Sequence, residues 1–298
     1  MFSKHQIIRK LIFLVYPVIR ILFRPITKRY LTIFLFHEIT NNPSDFQLAN
    51  RNYTTVQNFQ KNIEWIAENY KVIEISQLAD LTLENTRPLA VITFDDAWKG
   101  QVAASKHISS NHGLPFTLFL NIGAVTSRID IAALRSFNQI AVPRFSEFIE
   151  LTGEKDSVIS EFENWQGDIM TMDEVAELGD LPYSTIANHS LHHYPAIELT
   201  RAEFLKNVEI NERHLSKLNS FKKYYAFTFG RPQIDYTDEH VELLESINYH
   251  YIFSAEGKLN KLPLKKQTIF SRVNFSPTDS KKSDFWWATN KSVLLRRF

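Results

Sequence analysis

The chain has 298 residues, 44% apolar and 13% aromatic, with a formal charge of +1 and no cysteine. That is ample apolar material for a sizeable core, so global disorder is excluded. The lack of cysteine removes disulfides, thiolate metal sites and a cysteine nucleophile, leaving His, Asp and Glu to hold any metal.

Residues 1–30 are a basic, apolar leader with seven Lys or Arg (Lys4, Arg9, Lys10, Arg20, Arg24, Lys28, Arg29) and no acid. The remainder is mildly acidic, which argues against nucleic acid as the principal partner. The longest uncharged run of the leader, 11–19, is interrupted by Pro17 and falls short of the roughly 20 residues a spanning helix needs. No small-residue cleavage pattern follows it, and Arg20 and Arg24 stand where cleavage would occur. The leader reads as an amphipathic segment lying on an anionic membrane face, the alternative being a first helix packed on the domain. The expected location is therefore a membrane, on its cytoplasmic face, with a periplasmic or secreted place as the other option.

Residues 31–298 read as one domain. Strands are expected at 31–36, 90–94, 116–120, 184–187, 225–229, 249–254 and 269–275. Helices are expected near 55–69, 99–112, 171–179, 200–219 and 237–247, two of them opening on capping-box patterns, Thr171-x-x-Glu174 and Thr200-x-x-Glu203. Strands alternating with helices predict an α/β domain whose parallel sheet closes, or nearly closes, into a barrel. Residues 127–168 show no clear period and read as an insertion over one face.

Polar residues follow the apolar strands: His37 after LTIFLF, Asp95 and Asp96 after VITF, Asn121 after FTLFL, Asn188 and His189 after STIA, Gly230 and Arg231 after YAFTF. In a parallel α/β barrel the C-terminal strand ends share one mouth, so these side chains should converge. Two adjacent carboxylates there cost free energy unless a cation or a proton accompanies them. The stretch NHSLHHYP, 188–195, offers a source. If it opens a helical turn, His189 and His193 lie four apart on one face. With a carboxylate they make a two-His, one-carboxylate metal site that leaves positions open for water and substrate. His192 falls off that face and is expected to point to solvent.

At these residues the chain resembles the polysaccharide deacetylases (the NodB homology domain, carbohydrate esterase family 4). VITFDD looks like that family's TFDDG signature, and NHSLHH looks like its H-[ST]-x-x-H signature. IFLFHEIT at 33–40 is similar to the "YHxI" opening of one branch, and YAFTFGRP to its FAYPYG segment. The resemblance covers roughly residues 31–275. It implies a distorted (β/α)7 barrel, with Asp95 as general base and Asp96, His189 and His193 as ligands to one divalent ion, zinc first, with cobalt or manganese as alternatives. It further implies an N-deacetylase in which the ion activates water and polarises the acetyl carbonyl. The backbone N–H of Phe229 would then face the tetrahedral oxyanion.

The chain departs from the family pattern in four places. No histidine follows His250, so the usual late acid is missing and His37 is its substitute. The family's third-motif arginine has no counterpart, and Arg272 in SRVNF, or else Arg231, is expected to orient the base. Ala97 replaces the family glycine; if that position has positive φ, alanine is strained by roughly 1 kcal/mol. Thr228 stands where the FAYPYG segment has proline. Trp98, Tyr194 and Phe229 are placed to stack on a sugar ring. The expected substrate is an N-acetylhexosamine unit of a polysaccharide or lipid-linked glycan. The alternatives are hydrolysis of another C–N or O-acetyl ester bond, or glycan binding without catalysis.

Overall fold

The computed structural model describes residues 16, 18, 21–22, 26–81, 86–138, 156–264, 267–275, 277 and 279–294. The leader expected at 1–30 lies almost wholly outside the described residues, as does 139–155 of the expected insertion. Among the described residues no helix is long and apolar enough to cross a membrane.

Seven strands pair in parallel and in chain order. They are β1 (Tyr30–Phe36), β2 (Leu89–Asp95), β3 (Phe116–Leu120), β4 (Ser184–Asn188), β5 (Phe221–Ala226), β6 (Tyr251–Ser254) and β7 (Ile269–Ser271). One residue past β7, β8 (Val273–Asn274) pairs in parallel with β1, matching Phe34 to Val273 and Leu35 to Asn274. The strand expected at 269–275 is thus split at Arg272: its first half belongs to β6, its second to β1. This split brings the sheet round on itself, and the result is a nearly closed α/β barrel, as the sequence pattern predicts.

Among the described residues from 30 onward the α-helices are α1 (Asp45–Asn50), α2 (Val56–Asn69), α3 (Gly100–His107), α4 (Ile122–Ser127), α5 (Ile131–Asn138), α6 (Asp156–Gln166), α7 (Met172–Gly179), α8 (Arg201–Leu215), α9 (Asp238–Ser246) and α10 (Lys282–Leu294). The five expected helices are all present, and α7 and α8 carry the expected capping boxes. α3 continues through a single wide turn, Ile108–His112, and stops at Gly113, φ 58°. The described part of the unpatterned segment contains two helices, α5 and α6, joined to their neighbours by irregular chain at 128–130 and 167–168. Two strands differ in extent from expectation. β5 begins at Phe221, its exposed start hidden in the sequence by Lys222, and the chain leaves the sheet before Phe229. β6 begins at Tyr251 rather than 249.

Period-two alternation sorts the strand residues into two layers. Phe34, Phe36, Ile92, Phe94, Leu118 and Leu120 pack outward against the helices. Leu31, Ile33, Val91, Phe119, Ala187, Ala226, Phe253 and Phe270 form a separate inner cluster. Because β2 is covered on both faces it reads as an unbroken apolar run, and every one of its residues is buried.

Candidate active site

Following the inner layer toward the C-terminal strand ends gives the site. Two residues beyond Ala187 comes His189, two beyond Phe270 comes Arg272, and the inward rows of β1 and β2 end at His37 and Asp95. All four line one cavity of about 420 Å³, together with Asp96, His193 and Phe229. The amide of Gln101, fully buried on α3, ties two of these strand ends together, donating to the backbone carbonyls of Asp95 (2.6 Å) and His37 (3.3 Å).

Asp96 breaks the alternation. A regular strand would turn it away from its neighbour, but its φ of 67° swings it back toward the mouth. Aspartate tolerates that left-handed conformation better than most residues. Ala97 has no positive φ and is buried, so its replacement of glycine introduces no backbone strain. Ser190 (63°), His193 (57°) and Phe229 (59°) are also left-handed, and such outliers gather where a site over-determines its backbone.

The segment after β4 is an irregular loop rather than the expected helical turn, and its two left-handed residues, Ser190 and His193, bring the imidazoles together. The ring centroids lie 5.3 Å apart. The loop crosses α4 at Gly123, where a Cβ would stand 2.2 Å from the carbonyl oxygen of Leu191, so only glycine fits. His192 packs over the same glycine and is half-buried, not directed to solvent. Asn188, the last residue of β4, accepts from the N–H of Ser190 and from Asn211, fixing the start of the loop.

Each imidazole is held by its Nδ1. That of His189 lies 2.9 Å from the carbonyl oxygen of Ala226, and that of His193 lies 2.7 Å from Oδ2 of Asp130. Both Nε2 atoms therefore face Asp96 Oδ1, at 3.3 Å and 3.2 Å. The other oxygen of Asp96 accepts from Trp98 Nε1 at 2.8 Å, while Oδ1, fully buried, makes no hydrogen bond of good geometry. Asp96, His189 and His193 thus offer three ligand atoms within 4.8 Å of one another, all buried. A buried carboxylate oxygen with no donor, facing two imidazole nitrogens, fits a divalent ion. Burial works against the charge on Asp96, but the two imidazoles outweigh it and hold the carboxyl below its usual range. Burial likewise opposes the charge on His193, yet Asp130 and Asp96 raise it to about 9.

Asp95 meets a different cation. Arg272, wholly buried, donates from both terminal nitrogens to its two carboxylate oxygens, Nη2 to Oδ2 at 2.7 Å. Arg272 also donates from Nε to the carbonyl of Ser254 and lies over the ring of Phe119, 5.4 Å from its centroid. The adjacent carboxylates are therefore matched by separate partners, a guanidinium for Asp95 and the two imidazoles for Asp96. His37, half-buried at the end of β1, sits in the field of both; burial lowers its pKa more than the two carboxylates raise it. Arg231 pairs with Asp235 instead of reaching Asp95.

The three aromatic residues divide. Phe229, 41% exposed, stacks on His193 with centroids 5.2 Å apart and lines the cavity. Trp98 is 1% exposed and cannot stack on a sugar; it orients Asp96. The Tyr194 ring packs against the outer core and does not line the cavity. Its carbonyl accepts from the hydroxyl of Thr228, which links the ends of the His loop and β5. Sequence reasoning missed Asp130, in the unpatterned segment, and Lys291 on α10, which also lines the cavity. The aspartate that opens the apolar run IAAL was the one available signal, and it marks a helix cap rather than a partner for histidine.

The nearly closed parallel barrel is shared with several solved deacetylases. Similar structures include the Streptococcus pyogenes deacetylase PplD in complex with acetate (TM-score 0.62, 13% identity, covering 87% of this chain and 98% of that one). IcaB from Ammonifex degensii is comparable (0.61, 15%, 88% and 97%), as is a de-N-acetylase from Aggregatibacter actinomycetemcomitans (0.59, 12%, 85% and 97%). No curated protein matches the sequence. The sequence profile described as polysaccharide deacetylase matches residues 83–252, more than half of the chain. The chain belongs to the polysaccharide deacetylase family and is a carbohydrate deacetylase, a hydrolase acting on a glycan substrate.

Proposed function

We propose that this enzyme is a metal-dependent N-deacetylase acting on N-acetylhexosamine units of a polysaccharide or lipid-linked glycan close to a membrane. The observation that carries the reading is the meeting of Asp96, His189 and His193 beside the Arg272-clamped Asp95 in one cavity. A divalent ion held by Asp96, His189 and His193, zinc or else cobalt or manganese, supplies the Lewis acidity that polarises the acetyl carbonyl and lowers the pKa of water.

The other steps fall to the chain's own groups. Asp95 takes the proton of the attacking water; Arg272 leaves each of its oxygens a lone pair for that task while fixing the carboxylate plane. The backbone N–H of Phe229 faces the oxyanion, and its ring offers a surface to the sugar. His37 passes a proton to the departing amine. Because burial favours its neutral form, His37 takes up that proton during the reaction: Asp95 removes it from water, releases it to His37 and is regenerated as His37 gives it to the amine. The basic leader, with no acid in 1–30, supports docking on an anionic membrane, and we assign it to the cytoplasmic face.

The test is a panel of N-acetylated and O-acetylated glycans and lipid-linked sugars, assayed for acetate and free amine, alongside metal analysis of the parent and His189→Ala proteins. Equal acetate and amine, one divalent ion per parent chain and none in the variant support the proposal. Acetate without amine reassigns the enzyme to esters. A parent protein without a stoichiometric ion overturns the metal-dependent reading.

A further inference from the structure

The two candidate ligand imidazoles are anchored unequally. His189 Nδ1 meets a neutral carbonyl, that of Ala226, whereas His193 Nδ1 meets a carboxylate, Asp130, at the shorter distance of 2.7 Å. Asp130 is 1% exposed. Its Oδ1 accepts from the N–H of Ala133 (3.0 Å) and its Oδ2 from the amide of Asn121 (3.3 Å), while its own N–H donates to Gln166 Oε1 (2.6 Å). None of these partners is a lysine or arginine, so the imidazole is the group among them able to answer the buried charge.

We propose that Asp130 is a positioning residue for the metal centre: by holding His193 through Nδ1 it fixes the ring with Nε2 aimed at Asp96 Oδ1, so that Nε2 is the nitrogen offered to a divalent ion, and a stronger donor to it. Both oxygens of Asp130 accept hydrogen bonds from other groups, so the nitrogen 2.7 Å from Oδ2 supplies the hydrogen of that contact and Nε2, on the far side of the ring, is the one free to offer a lone pair. A carboxylate behind a ligand histidine raises ligand basicity, and its loss weakens metal affinity by about 10- to 100-fold. The carboxylate is brought there by the start of α5, whose first turn it caps through Ala133, so one side chain serves both the helix and the ligand. The proposal rests on the reading that Asp96, His189 and His193 hold a divalent ion.

Two variants separate the roles. Asp130→Ser keeps a helix-capping oxygen but cannot span to His193; Asp130→Asn keeps size and shape but removes the charge. Zinc affinity is measured by competition with a chromophoric chelator, the cobalt-loaded protein by its visible absorption, and the metal-free protein by thermal unfolding. Zinc binding about 10- to 100-fold weaker in both variants, with a shifted cobalt spectrum and near-parental unfolding of the asparagine variant, supports the assignment. Parental zinc affinity in either folded variant overturns it while leaving the ligand set intact. A parent that binds neither zinc nor cobalt overturns the ligand set, and the role of Asp130 with it.

Discussion

The mouth of the barrel has two walls built on different principles. One, formed by the ends of β2 and β4, carries Asp96, His189 and His193, and each of these side chains has a second bond that fixes it: Trp98 on Asp96, Ala226 on His189, Asp130 on His193. The other, formed by β1 and the β7–β8 junction, carries His37, half-buried, and Arg272, whose partners come from distant strands. The first wall is a local device, two short motifs on the loops that follow β2 and β4, with β3 between them. The second exists only when the barrel is closed. Ligand geometry and closure can thus be damaged independently, and Asp95 is the residue at which they meet.

The largest effect is expected from breaking the closure side. Arg272→Met leaves the Asp95 carboxylate buried without its partner, at a cost of about 3–5 kcal/mol in stability. Denaturant unfolding measures it; a loss below about 1 kcal/mol means that the pair is not what holds the junction. Asp95→Asn keeps the shape and removes the base, with turnover down about 10³-fold at unchanged metal content. A variant that keeps both metal and rate would put the base elsewhere.

The third prediction concerns pH. Burial of Glu38, next to His37, outweighs its bonds to the N–H groups of Ile39 and Gly100 and raises its pKa to about 7. Between the ordinary glutamate value of 4.5 and about 7 the folded protein binds the proton that the unfolded chain has lost. Stability is therefore fully present below that window and declines as pH rises through it, by about 3 kcal/mol in all. Glu38→Gln should flatten the stability profile over the same range; parallel profiles for the two proteins would reject the assignment.

Smaller effects should follow on the open wall. His37→Ala is expected to lower turnover about 10²-fold with the metal retained, and near-parental turnover would exclude it as the proton donor. Phe229→Ala keeps the backbone N–H and loses the ring, so KM should rise several-fold, equivalent to about 1 kcal/mol, with kcat little changed. An equal fall in kcat would make the ring part of the transition-state site.

The first wall was legible in the sequence because its residues sit in contiguous runs, VITFDD and NHSLHH, each at the end of a strand with a clear apolar signal. The barrel was legible for the same reason, since strands buried on both faces leave unbroken apolar stretches. What the sequence hid was long-range or irregular. Asp130 lies 63 residues from the histidine it touches, in a segment without a period. α10 escaped notice because its Phe285, Trp286 and Trp287 are consecutive, giving no helical stripe, although all three are buried. The helical turn expected for 189–193 failed because spacing alone cannot tell a helix from a loop with two left-handed residues. Trp98 was misread because an aromatic beside a motif is as useful behind a carboxylate as over a sugar.

Splitting the last strand at Arg272 has a consequence for how activity first arises. Asp95 and Arg272 are 177 residues apart, and the bond between them requires the final strand to leave β6 and pair with β1. During synthesis the acid emerges long before its guanidinium partner. A chain ending before residue 272 lacks the guanidinium that accompanies the Asp95 carboxylate, so on the proposed reading hydrolysis would wait for the last strand.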